Sequence, residues 1–464
     1  MHKKGWVNEL LELISLMPHP PIALSSVGGS ETKKIKATVD AMETMAENIV
    51  QIDPETILAI TPHGHVFTDA VTITSLGTFF GDMSRFGAPQ EKLSFDFDAA
   101  GADAIIEKCR QSSFPCFMLD EKGLNQYNCS QKLDHGLVVP LSFIYKKGWR
   151  GKIIPVNVAM LPFEELYLFG HLLREALDSL EKKWVLLASS DLSHRLTYSA
   201  PAGYAPEGAI FDEYIKEKLR LGDTQAILNA DREMVEKAAE CGLRSIIIGL
   251  GALDGFSWEA HILSYEGPFG VGYMVASIKP DEKKKSILIR RKEPQEESLP
   301  VKLARETIEY YLSKRSLPKL DEIYTSMVNE KAGAFVSLKK YGRLRGCIGT
   351  IEPQRDNVGL EIIYNAVAAA QQDPRFDPVE KNELDQLEIT VDVLGEPEPV
   401  NSEEELDPDV YGVIVTKGAR RGLLLPDIEG VHTAAGQIAI ALQKAGIKAD
   451  EDYSLERFGV TKYR

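Results

Sequence analysis

Three short apolar runs in this chain each end on a histidine, and no other feature restricts its fold as tightly. Leu13-Ile-Ser-Leu-Met17 leads into Pro18-His19-Pro20, and Ile57-Leu-Ala-Ile-Thr61 into Pro62-His63-Gly64-His65. The third, Trp184-Val-Leu-Leu-Ala-Ser-Ser-Asp191-Leu-Ser-His194, turns polar before its carboxylate and imidazole. Runs of this length and composition read as buried strands. Between the first two, residues 33–52 place Ile35, Val39, Met42, Ala46 and Ile49 at helical spacing and stop at Asp53-Pro54. A strand, helix and strand of that size imply parallel strands, which puts His19 and His63 on adjacent strand ends at one edge of the sheet. In open α/β sheets ligands bind outside the carboxyl ends of the strands, so Asp191 and His194 are placed for proton transfer. The expectation for residues 1–280 is an α/β domain, a central mostly parallel sheet flanked by helices.

With 464 residues the chain exceeds what one hydrophobic core supports. Composition shifts at residues 279–300, where Lys283-Lys-Lys285, Arg290-Arg-Lys292 and Glu293-Pro-Gln-Glu-Glu297 mark a charged linker, assigned to 281–297. A second, smaller α+β domain is expected over 298–464. Ser298 stands where an N-cap belongs, and residues 335–338 and 344–349 form a hairpin turning at Gly342. A helix over 357–372, strands at 387–394, 411–415 and 420–425, and a final helix over 433–445 complete it. In the first domain, further helices are read at 162–180, 208–221 and 223–239, and strands at 151–158 and 270–278. Residues 66–130 offer only a short β-like run at 71–74 and a helical one at 99–109.

The net charge of −16 repels nucleic acid and anionic membrane surfaces, so neither is an expected partner. No apolar run reaches the roughly 18 residues of a membrane span, and Asn8, Glu9 and Glu12 interrupt any signal-peptide core. A cytoplasmic location is expected. The five cysteines are too few and scattered for a disulfide framework and read as reduced thiols.

His19 and His63 can bind one metal through neutral imidazoles, with a third ligand from elsewhere in the chain. The candidates are Cys241 and its neighbour Glu240, at a break between helices. Two histidines and a carboxylate suit ferrous iron and leave positions open, whereas two histidines and a thiolate suit a softer metal such as copper or zinc. His135, between Asp134 and Gly136, caps a turn as readily as it serves catalysis. His65, His171 and His261 read as structural, and Cys347 as a buried or a reactive thiol near Gly346 and Gly349.

The motifs Met17-Pro-His-Pro20, Pro62-His-Gly64, Asp134-His-Gly136, Ser189-Ser-Asp-Leu-Ser-His194 and Glu240-Cys-Gly-Leu243 resemble those of the LigB-like class III extradiol dioxygenases, most closely the Memo branch. That resemblance implies Fe(II) held by His19 and His63, His194 as acid/base and His135 lining the pocket of a phenolic or related small-molecule substrate. In the Memo branch the position of Cys241 supplies the third ligand, with Asp191 and His194 facing the metal. True ring-cleaving enzymes carry glutamate there. Leu344-Arg-Gly-Cys-Ile-Gly349, Asp373-Pro-Arg-Phe376 and Leu423-Leu-Leu-Pro426 resemble the AMMECR domain. The fusion is similar to proteins of the AmmeMemoRadiSam system, which implies a radical-SAM protein partner, leaves a non-catalytic metal-binding scaffold as the rival to an oxidoreductase, and leaves a homo-oligomer open.

Overall fold

Strands whose residues are apolar on both faces need cover on both sides, and the first domain is built around that demand. The computed structural model describes residues 10–288 and 297–464, apart from 321–323, 325, 326, 328, 401 and 429. It divides into two units, Met1–Arg290 and Arg291–Arg464. In the first unit β1 (Leu11–Met17), β2 (Thr56–Thr61), β3 (Val71–Thr74), β4 (Thr78–Met83), β5 (Ala88–Asp96), β6 (Cys116–Leu119), β7 (Lys152–Asn157), β8 (Trp184–Ser189), β9 (Phe256–Glu266) and β10 (Tyr273–Lys283) follow in order. Eight of them form one sheet, β6-β3-β7-β2-β8-β1-β10-β9, while β4 and β5 pair as a separate hairpin. Its centre, β7-β2-β8-β1, is parallel. The β3–β7, β1–β10 and β10–β9 pairings are antiparallel, so the sheet is mixed.

Every residue of β2 and β8 is buried. Leu13, Met17, Ile57, Val185 and Leu187 pack with the helices Lys36–Ile52 and His135–Lys146 on one face. Ile14 and Leu186 meet Gly249 of the helix Leu243–Ala252 on the other. The order corrects one expectation, because β8 lies between β1 and β2, so His19 and His63 stand on strands one apart. All three strands are parallel, so their carboxyl ends still share an edge.

Several elements differ from the expected ones for local reasons. The stretch 223–239 is two helices, Thr224–Leu228 and Arg232–Ala238, because Asp223 and Asp231 each accept a backbone N–H and start a new turn. The region 66–130 holds the β4–β5 hairpin, and β9 is an edge strand only partly buried, which blunts its apolar alternation. Pairing with β9 also carries β10 to Lys283, into sequence that composition marks as linker. Asp254 then accepts hydrogen bonds from the Ser286 hydroxyl and the Ile287 N–H (2.8 Å). Residues 289–296 of that linker lie outside the described residues.

The second unit contains β11 (Ala334–Lys340), β12 (Arg343–Gly349), β13 (Leu387–Leu394), β14 (Glu398–Pro399), β15 (Tyr411–Lys417), β16 (Arg420–Leu424) and β17 (Ser454–Tyr463). They form an antiparallel sheet, β12-β11-β13-β17-β15-β16, with β14 on β17. Tyr341 and Gly342 both take positive φ, 53° and 77°, as a tight two-residue hairpin turn requires. The helices Leu299–Lys314 and Val358–Gln371 cover one core and Ala434–Ala445 another. Ser298 holds the N-cap position without a capping side-chain bond. Among the described residues no helix is long and apolar enough to cross a membrane.

Candidate metal centre

Each strand end delivers its residues after the last ladder bond, where the chain turns away from the sheet. His19 follows β1, His63 follows β2, and Asp191 and His194 follow β8, while His135 opens the helix His135–Lys146 and Cys241 precedes Leu243–Ala252. The structure brings most of them together. His19 Nε2 lies 3.0 Å from His63 Nε2, 3.5 Å from Cys241 Sγ and 3.6 Å from Asp191 Oδ2. Cys241 Sγ is 3.7 Å from His194 Nε2. A ring nitrogen of His135 joins those of His19 and His63 within 4.8 Å, and its ring stacks on His63 at 4.6 Å between centroids.

Proton counting fixes the orientation of His19. The Ser189 hydroxyl has one proton, and it donates that proton to the Gly136 carbonyl, which can only accept. Ser189 Oγ, 2.8 Å from His19 Nδ1, must therefore accept from an Nδ1–H, which leaves the Nε2 lone pair bare towards His63 and Cys241. The same carbonyl belongs to a residue whose N–H donates to Asp134 Oδ1 at 2.8 Å. Thr61 Oγ1 donates to that carboxylate oxygen as well and accepts from His63 N–H. Ser189, Gly136, Asp134 and Thr61 thus tie the three histidine-bearing segments to one another. The Asp191 carboxylate accepts the His19 N–H at 2.8 Å.

The donor set fits a metal ion. With metal–nitrogen bonds of about 2.0–2.1 Å and metal–sulfur bonds of about 2.3 Å, tetrahedral neighbours stand roughly 3.3 Å (N to N) and 3.6 Å (N to S) apart. The observed 3.0 and 3.5 Å are close to those edges. Burial lowers the His19 pKa well below its usual value, with help from His63, His135 and His194, so this imidazole is neutral. Desolvation also lowers His63, His135 and His194. Burial pushes Asp191 up to about 7, and desolvation followed by the Asp191 and Glu240 charges raises the Cys241 thiol. A bound cation reverses that preference for the neutral thiol and carboxyl.

Glu240 is directed elsewhere. Its half-buried carboxylate, raised to about 7 by desolvation, accepts the Leu243 N–H at 2.6 Å and so serves the start of the helix Leu243–Ala252. Gly242 is needed between them, since a Cβ there would stand 2.6 Å from the Asp191 carbonyl oxygen. His65 Nε2 faces the Ser130 carbonyl at 3.0 Å, and His171 lies beside Asp254 and Glu175, away from the centre. Cys347 is in the second unit, where its thiol accepts from Ser337 Oγ at 3.1 Å.

A cavity of about 770 Å³ opens against this centre, with exposed His63 and half-buried His135 in its wall. Phe79, Leu133 and Leu137 give it an apolar side, and Arg85 and Phe86 reach it from the turn between β4 and β5. The Phe86 and His135 ring centroids are 5.5 Å apart. Sequence reasoning gave no role to the hairpin residues or to Thr61, and named Ser189 only as part of its motif. The polar ending of β8 was the available signal for Ser189, but a hydroxyl earns its role only from what it touches.

Residues 13–276 match the family described as the catalytic LigB subunit of aromatic ring-opening dioxygenase, and residues 301–464 match the AMMECR1 family. Protein CA_C1420 of Clostridium acetobutylicum is 42% identical over 460 residues, covering 97% of this chain and 98% of that protein. A protein of Thermotoga maritima is 52% identical over 167 residues, 35% of this chain and 96% of its own length. The crystal structure of the uncharacterised protein PH0010 from Pyrococcus horikoshii is 32% identical, covers 35% of this chain and 88% of its own, and superposes with a TM-score of 0.33. The chain belongs to the LigB family through its first domain and carries an AMMECR1 domain as its second.

Proposed function

We propose that the first domain is a metal-dependent oxidoreductase of the extradiol-dioxygenase type, holding non-haem iron through His19, His63 and Cys241 and acting on a phenolic or related small molecule. One observation carries this reading: a bare His19 Nε2 faces His63 Nε2 and Cys241 Sγ at coordination spacing, beside a cavity walled by His63 and His135. When bound, the metal supplies Lewis acidity that lowers the pKa of a ligated hydroxyl, and open positions for a second reactant. The chain's own residues do the rest. His194, kept neutral by burial and standing 3.7 Å from Cys241 Sγ, serves as the base for the proton of a substrate hydroxyl, and half-buried His135 lines the cavity. Asp191, which burial inclines to its protonated form, lies against His19 and orients His194 or water on the buried side. The apolar wall excludes water around the substrate ring.

The capture of Glu240 by the helix start favours a second reading, since it removes the carboxylate of ring-cleaving enzymes from the donor set. On that reading the domain is a non-catalytic metal scaffold that works with a radical-SAM protein. Protein purified without oxygen, loaded with ferrous iron and mixed with catechols and oxygen distinguishes the two. Ring cleavage yields a coloured product; its absence from an iron-loaded sample overturns the oxidoreductase reading.

A further inference from the structure

The segment carrying Asp191 and His194 runs beyond the end of β8, yet each backbone N–H from 192 to 195 is held. Leu192 N–H donates to the Gly272 carbonyl at 2.8 Å, and Arg195 N–H to Ser193 Oγ at 3.0 Å. The His194 N–H and the Ser193 hydroxyl both donate to the Ala238 carbonyl, at 3.1 and 3.0 Å. The charged acceptor among these partners is Asp212, from the helix Pro206–Leu221, which takes the Ser193 N–H at 2.8 Å. Asp212 is 1% exposed and Ser193 wholly buried. The second Asp212 oxygen accepts the Tyr265 hydroxyl of β9 at 2.7 Å. Gly272 makes the room, since a Cβ there would stand 2.1 Å from Asp212 Oδ2. Burial pushes Asp212 up to about 6 in spite of these bonds and of Lys216, so the carboxylate is kept in place against a desolvation penalty.

The Ala238 carbonyl connects this carboxylate to the metal centre. Ala238 leads through Ala239, at φ 51°, to Glu240 and Cys241. At the far end of the same stretch, a Cβ on Gly242 would stand 2.6 Å from the Asp191 carbonyl oxygen. Residues 190–194 and 238–242 therefore lie against each other at both ends, and Cys241 Sγ is held between them, 3.7 Å from His194 Nε2. We propose that Asp212 is a positioning residue of the metal centre, which fixes Ser193 and through it the spacing of His194 and Cys241. The inference rests on reading Cys241 as a metal ligand. Without Asp212 the Ser193 N–H is buried with no acceptor, and the segment moves to satisfy it.

The test uses full-length protein loaded with cobalt(II) at neutral pH, reading the thiolate-to-cobalt charge-transfer band and the affinity against a competing chelator. Asp212→Ala should shift the band and lower the affinity roughly tenfold, the lower end for loss of an outer partner of a metal site. Asp212→Asn, whose amide oxygen still accepts the Ser193 N–H, should return both to wild-type values. Tyr265→Phe removes the other hydrogen bond of the same carboxylate, so it should lower the melting temperature and leave the band in place. A wild-type band and affinity in folded Asp212→Ala overturn the proposal, as does an equal shift in Tyr265→Phe, the mark of general loosening. If Asp212→Ala does not fold, the other two variants decide, because a shifted band in either overturns the proposal. A wild-type protein without a thiolate band rejects Cys241 as a ligand and the proposal with it, whereas a band indifferent to Asp212 rejects the proposal alone. No turnover is involved, so neither result depends on whether catechols are cleaved.

Discussion

A single hydroxyl decides which nitrogen of His19 faces the metal centre. Ser189→Ala removes the acceptor that holds Nδ1–H, so the ring can invert its tautomer or turn, and loss of such a partner weakens metal affinity by roughly 10- to 100-fold. Ser189→Thr keeps the hydroxyl and should recover most of that affinity. The same measurement, bound iron against a competing chelator, ranks the candidate third ligands. Cys241→Ser should sharply lower bound metal, whereas Glu240→Gln, whose amide oxygen can still accept the Leu243 N–H, should leave it near wild type. A wild-type metal content in Cys241→Ser together with a loss in Glu240→Gln would return the centre to a carboxylate triad.

At the level of elements, the AMMECR1 motifs Leu344–Gly349 and Asp373–Phe376 explain one another. β12 is the last strand of its sheet, and an uncovered edge invites pairing with other chains. Asp373 Oδ2 accepts the Cys347 N–H at 2.9 Å, and Arg375 donates to the Cys347 carbonyl at 3.1 Å. Joined by their own 2.7 Å ion pair, the two side chains stand in for a neighbouring strand. Cys347 and Ser337 are then a close cross-strand pair, as their 3.1 Å contact shows. The Arg375 guanidinium, with the Cys347 and Arg375 N–H groups, holds Asp373 down at about 2. A depressed carboxylate stabilises the fold in full above its unfolded value of about 3.9 and loses that contribution as pH falls towards 2. The isolated second domain should therefore lose stability between about pH 4 and pH 2 in denaturant titrations. Asp373→Asn should cost about 1.5–3 kcal/mol at neutral pH and flatten the acid limb. An unchanged acid limb would show that this pair contributes nothing.

At the level of the whole molecule, each unit owns its core, and the division between Arg290 and Arg291 falls within the 281–297 segment that composition marks as linker. β10 extends to Lys283, and Ser286 and Ile287 bond to Asp254. Fragments 1–290 and 291–464 should each unfold cooperatively, and a 1–280 fragment, which lacks those contacts, should melt below 1–290. Ferrous iron should raise the melting temperature of 1–290 by mass action and leave 291–464 unmoved. A single joint transition in the full chain, with neither fragment cooperative alone, would contradict this.

Local patterning was enough for much of the fold and part of the centre. Uninterrupted apolar runs specify buried strands, a helix between two of them specifies parallel direction, and parallel strands end at one edge, so His19, His63 and His194 had to converge. Strict alternation likewise located β13, and the turn glycine Gly342 its neighbouring hairpin. What local patterning lacks is strand order and side-chain aim. The placement of β8 between β1 and β2, the central position of the polar, charge-rich β17, and the choice of Glu240 for a helix start rather than a metal depend on partners far away in the chain. Long-range packing chooses among locally equivalent options, and for Ser189 it alone determined what the side chain meets.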